Sequence, residues 1–120
     1  MAALLVVEDD DIQRKMLGML LSKHFSVTTC DQFGAMDYDW NDFDAVILDV
    51  LMPVHNGPKL ARWAAERYQT VPKIVFYSAL PAELLAKEAG ALAGVVPLYY
   101  IVKAGQPSHL VDTLKALCVS

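Results

Sequence analysis

The sequence predicts an α/β fold, an open parallel sheet with helices on both faces. Two observations predict it. Four short apolar runs, "ALLVV" (3–7), "AVILDV" (45–50), "KIVFYS" (73–78) and "LYYIV" (98–102), are β-branched or aromatic and mostly do not alternate, as in strands covered on both faces. Between them, apolar residues recur at helical spacing. Strand and helix therefore alternate, and because parallel strands need right-handed crossovers, five βα units give an open, doubly wound sheet.

The elements follow in order. After the first run, Ile12, Met16 and Leu20 are spaced by four and share one face of a helix over residues 11–23. "SVTTC" (26–30) is a weaker strand candidate, and residues 32–37 have room for one short helix with little to specify it. Pro58 suits the first turn of a helix that carries Leu60, Trp63 and Ala64 and ends near Tyr68. "PAELLAKEAGALA" begins in the same way at Pro81, with Gly90 near its end. Ser108 reads as the cap of a last helix with Leu110, Leu114 and Leu117 on one stripe.

The chain has 120 residues, the size of one domain with a real core, and the expected domain is residues 1–120. Hydrophobic residues make up 55% and charged residues 20%, which fits a compact protein and excludes a largely disordered one. A net charge of -4 argues against direct nucleic-acid binding, which needs a basic face to displace counterions. Cys30 and Cys118 form no CxxC pair and have no histidine at metal spacing, so both read as free thiols. The apolar run 2–7 lacks the basic flank of a signal peptide, and no run reaches the roughly 18 residues of a membrane span. The expected setting is cytoplasmic, without membrane contact.

In open α/β sheets the functional crevice lies outside the carboxyl ends of the strands. Glu8 and Asp9 follow the first strand, Asp49 ends the third, Ser78 ends the fourth and Lys103 follows the fifth. The stretch "LLVVEDDDIQRKM" raises the sharpest question, because carboxylates crowded at 8–11 raise the cost of ionising one another unless a cation is supplied. A solvated loop that caps the next helix is the plainer reading. Glu8, Asp9 and Asp49 together offer only hard oxygen ligands, which select Mg²⁺, with Mn²⁺ as the alternative, over zinc. Lys103 adds a point charge and Ser78 a hydroxyl, both suited to an incoming phosphoryl group. With Asp49 as nucleophile, the product is an aspartyl phosphate.

At this point "LLVVEDD", "AVILDVLMPVHNG", "IVFYSA" and "YYIVK" agree in order and spacing, and the chain resembles the receiver domain of two-component response regulators over essentially its whole length. The resemblance implies a flavodoxin-like (βα)5 fold with strand order 2-1-3-4-5. It implies that Asp49 is the phosphoacceptor, that Glu8 and Asp9 are the acidic pair with Asp9 a direct Mg²⁺ ligand, and that Leu51 gives its backbone carbonyl to the metal. Ser78 stands at the Ser/Thr switch position, Tyr100 at the aromatic switch position and Lys103 at the active-site lysine. Pro53 and Gly57 match the loop after the phosphoacceptor. The implied role is a signalling module, not a turnover enzyme. It takes phosphate from a histidine kinase or phosphotransfer protein and signals through the face made by the fourth helix, fifth strand and fifth helix.

Two features depart from the family pattern. Ala104 and Gly105 follow the lysine where receivers usually carry a proline in a cis peptide, and a cis bond before Ala costs about 2.5–4 kcal/mol. "AGALAGVVPLYY" is also longer than the usual link between the fourth helix and fifth strand. The first departure makes a phosphorylation-independent binding scaffold a rival reading. An aspartyl-nucleophile phosphatase of the haloacid dehalogenase type is another, but it needs an acid two residues after the nucleophile, where Leu51 stands. "DYDWNDFD" (37–44) imitates the start of a calcium loop, but Asp42 replaces its glycine and Leu48 its final glutamate. His55 reads as an ordinary, solvent-exposed loop histidine.

Overall fold

The computed structural model describes residues 1–90, 98–103 and 107–118. Five strands, β1 (Ala3–Val7), β2 (Ser26–Cys30), β3 (Ala45–Leu48), β4 (Lys73–Ser78) and β5 (Leu98–Val102), form one sheet in the order β2-β1-β3-β4-β5. Every pairing is parallel, with Leu4 opposite Ala45, Ala45 opposite Lys73, and Phe76 opposite Tyr100. This is the fold and strand order expected. Four strands keep their expected limits, whereas β3 stops before Asp49. There the Asp49 carboxylate accepts the Leu51 N–H at 3.0 Å, a local side-chain bond that turns the chain out of the ladder.

The helices are α1 (Asp11–Ser22), α2 (Gly57–Arg67), α3 (Ala82–Gly90) and α4 (Pro107–Leu117). α1 and α4 cover one face, where Leu17, Leu21, Leu110 and Leu114 pack on Leu4, Val6, Ile47 and Val75. α2 and α3 cover the other through Leu60, Ala64 and Leu85 against Leu5, Val7, Leu48 and Phe76. Asn56 caps α2 by accepting the Lys59 N–H, and Pro58 sits in its first turn.

Three expectations change. The short helix expected over 32–37 is replaced by two 3-10 turns, Gly34–Asp37 and Trp40–Asp42. Asp31 accepts the N–H groups of Phe33 and Gly34, and Trp40, fully buried, donates its indole N–H to Ala35 O at 2.9 Å, so side-chain bonds and one core aromatic hold the segment in place of a helical ladder. The face of α1 toward the sheet is Leu17 and Leu21, while Ile12 is 71% and Met16 64% exposed. Gly18, whose missing Cβ would meet Thr29 at 3.2 Å, lets that neighbouring stripe approach β2. Ser108 lies inside the first turn of α4, with Pro107 at the first position, where its missing N–H has no helical partner to lose.

The lengthened link and the peptide after Lys103 lie mostly or wholly outside the described residues. Asp39 caps the second 3-10 turn through the Asn41 N–H. Both cysteines are free, and burial pushes the Cys30 thiol up to about 12. Among the described residues, no helix is long and apolar enough to cross a membrane.

Candidate functional site

The acidic run divides into two pairs. Asp10 caps α1 by accepting the Gln13 N–H at 2.9 Å, and Asp11 pairs with Arg14 one turn on. Glu8 and Asp9 turn instead toward the carboxyl edge of the sheet. Glu8 extends β1 through its N–H to Cys30 O at 3.0 Å and is only 4% exposed. Cap and acid cluster are thus both present, on adjacent residues.

β3 brings Asp49 to the same edge, 8% exposed, and β5 brings Lys103. The Lys103 ammonium donates to Glu8 Oε2 at 2.8 Å, Asp49 Oδ2 at 2.9 Å and Gln13 Oε1 at 2.9 Å. It also lies 5.4 Å from the centre of the Tyr77 ring. Burial pushes the amine down, but the bonds from Glu8 and Asp49 outweigh it and hold the ammonium above its ordinary value. Burial likewise raises the Tyr77 phenol, against the pull of Lys103.

A cleft of about 680 Å³ opens over Glu8, Asp9, Asp49, Leu51 and the start of α1. One ammonium against three carboxylates leaves surplus negative charge on its floor. Among the described residues, only the second oxygen of Asp9 in this trio accepts no bond from the protein. No three acidic, histidine or cysteine side chains among them close into a cation cage. An open set of hard oxygens with surplus charge fits Mg²⁺, which keeps several waters and uses few carboxylates, better than an ion needing a full cage.

The remaining expected residues lie around this centre. Leu51 lines the cleft and is 60% exposed. Ser78 is fully buried, its hydroxyl accepting the Leu80 N–H at 3.4 Å and its carbonyl the Lys103 N–H at 2.7 Å. Tyr100 is 48% exposed on β5. Gly57 is required where it stands, since a Cβ there would lie 2.6 Å from the Asp49 carbonyl oxygen. His55, expected in solvent, is instead half-buried because it packs edge-on to Phe33 at 5.5 Å.

Sequence reasoning missed Gln13 and Gln32. Gln32, 1% exposed, donates to Asp9 Oδ1 at 3.0 Å and accepts the N–H groups of Val54 and His55. A lone glutamine carries no motif, so only its burial reveals it.

Comparison with known proteins agrees with this fold. The family model described as the response regulator receiver domain matches residues 4–115. The chain belongs to the response regulator receiver domain family. This receiver domain is 31% identical over 118 residues to Protein RcaC of Microchaete diplosiphon, covering 95% of this chain but only 17% of that protein. It superposes on the Vibrio cholerae chemotaxis protein CheY4 with a TM-score of 0.76 and 26% identity, covering 98% of each chain. The Thermotoga maritima response regulator TrrA, solved in complex with Mg²⁺-BeF, shares the fold at a TM-score of 0.78 and 23% identity, covering 98% of this receiver domain and 99% of that chain.

Proposed function

We propose that this receiver domain accepts a phosphoryl group on Asp49 in a Mg²⁺-dependent reaction and relays a conformational signal. The donor is a histidine kinase or phosphotransfer protein. One observation carries the reading: Asp49 lies in an acid-lined cleft with the Lys103 ammonium 2.9 Å from its carboxylate.

Glu8, Asp9, Asp49 and the backbone carbonyl of Leu51 would hold Mg²⁺, which when bound offsets the charge of the phosphoryl oxygens. The Asp49 carboxylate forms the new O–P bond as the bond from phosphorus to the donor breaks, and the leaving group departs with that electron pair. Lys103 keeps its proton throughout, held up by Glu8 and Asp49, and so offers a fixed positive charge to the transferred group. The Ser78 hydroxyl, engaged only by the Leu80 N–H among the described residues, is available as a donor to it. Turning that hydroxyl inward frees space for Tyr100, whose exposure on β5 leaves it able to repack, and the output face is then α3, β5 and α4.

Acetyl phosphate with Mg²⁺, followed by intact mass, tests the reading. The expected result is the gain of one phosphoryl group that requires Mg²⁺, disappears in Asp49→Asn and slows in Asp9→Asn. Labelling that persists in Asp49→Asn would overturn the assignment. Absence of any adduct on the wild type would favour the binding-scaffold reading instead.

A further inference from the structure

Gln32 is a buried polar side chain outside the charged cluster that makes three side-chain hydrogen bonds. It stands two residues after the end of β2 and is 1% exposed, yet its side-chain hydrogen bonds run to other segments. Its Nε2 donates to Asp9 Oδ1 at 3.0 Å, and its Oε1 accepts from Val54 N at 3.0 Å and His55 N at 2.6 Å. The chemistry sets the orientation of the amide: two N–H groups demand the oxygen and a carboxylate demands the NH₂, so a flipped amide would lose all three bonds. One buried side chain therefore joins the end of β1, the end of β2 and the loop before α2.

The bond to Asp9 has a geometric consequence. Asp9 is half-buried and lines the cleft, and Gln32 takes one of its oxygens, leaving the other without a protein partner among the described residues. Partners of this kind, which orient a metal-binding carboxylate without touching the ion, commonly matter to affinity by about tenfold or more when removed. Gln32 Oε1 is also the acceptor for two successive backbone N–H groups in the loop between Asp49 and the Asn56 cap of α2. Asp9 and that loop thus share one buried partner.

We propose that Gln32 is a positioning residue for the cation site, holding Asp9 in its binding rotamer and coupling Mg²⁺ occupancy to the order of the loop at Val54 and His55. The inference rests on the Mg²⁺ reading given above. Because coupling between two sites is reciprocal, Mg²⁺ must tighten the loop as much as loop order favours Mg²⁺. A merely structural glutamine would lower stability on removal without linking the two.

The test is a Mg²⁺ titration of the whole chain, followed by amide spectra and amide hydrogen exchange, for the wild type, Gln32→Ala and Gln32→Met. In the wild type, Mg²⁺ should slow exchange at the Val54 and His55 amides. In both variants, exchange at these two amides should be faster and indifferent to Mg²⁺, and the Mg²⁺ dissociation constant should rise about tenfold. Gln32→Met fills the volume if Gln32→Ala fails to fold, and the wild-type exchange measurement needs no variant. Wild-type protein that binds no Mg²⁺ overturns the cation reading and this inference with it. Wild-type binding with exchange at Val54 and His55 unchanged, or variants that bind as tightly as the wild type, overturns the role of Gln32 alone.

Discussion

The Lys103 ammonium and the Asp49 carboxylate, 54 residues apart in sequence, meet at 2.9 Å across the carboxyl ends of β5 and β3. The same ammonium holds Glu8, and the side chains of Glu8 and Asp49 are only 6% and 11% exposed. Lys103→Met would leave two buried carboxylates without a counter-charge, and breaking such a pair costs about 3 kcal/mol or more. The expected outcome in metal-free urea unfolding is a loss of that order, reduced at saturating Mg²⁺ because the cation replaces the missing charge. An unchanged midpoint would show that the contact contributes nothing.

Raised values at Lys103 and Tyr77 point the same way on the pH scale. Both groups hold their protons more tightly in the folded chain than in the unfolded one, where they titrate at about 10.5 and 10.0. Their contributions are therefore present in full below about pH 10 and are lost as pH rises through the folded values. Stability should be level for these groups from neutral pH to about pH 9.5 and then fall, with the fall reduced in Tyr77→Phe. Denaturant midpoints across that range check it, and a rise above pH 10 would contradict the assignment.

Gly57 and Gly90 should respond differently to alanine. At Gly57 the added Cβ meets the Asp49 carbonyl oxygen at 2.6 Å, and backbone cannot step aside as a side chain can. Gly57→Ala should cost about 2–4 kcal/mol and slow phosphoryl transfer to Asp49, because α2 and the end of β3 must separate. At Gly90 nothing among the described residues lies within 4 Å, so Gly90→Ala should stay within about 1 kcal/mol of the wild type. Thermal unfolding of the two variants side by side decides it.

The lifetime of the phosphoryl group should depend on Leu51. The residue is 60% exposed and lines the cleft with Asp49, and its apolar side chain cannot orient an attacking water. Leu51→Asn introduces an amide that can, and one net hydrogen bond of about 1 kcal/mol corresponds to about fivefold in rate. Phosphate release from the phosphorylated wild type should be slow and from Leu51→Asn about fivefold faster. Equal rates, or a slower variant, would sink the proposal.

The sequence by itself determined the strands and the rim of the site. β1, β4 and β5 are short apolar runs of β-branched or aromatic residues, legible as strands of a covered parallel sheet, and β2 carries a weaker signal of the same kind. Placing Glu8, Asp9, Asp49, Ser78 and Lys103 on one edge then needs only the rule that parallel strands carry their carboxyl ends to the same side. Tertiary structure alone decided that α1 packs through Leu17 and Leu21 instead of the Ile12 stripe, that residues after β2 form 3-10 turns around Trp40, and that Ser78 stays out of the charged cluster. It also decided the partners of the two glutamines, Gln32 with Asp9, Val54 and His55, and Gln13 with Lys103. The physical reason is range. Apolar periodicity and caps act within a few residues and are written locally, whereas the bonds of Lys103 span 54, 90 and 95 residues and exist only once packing has set the distances between strand ends.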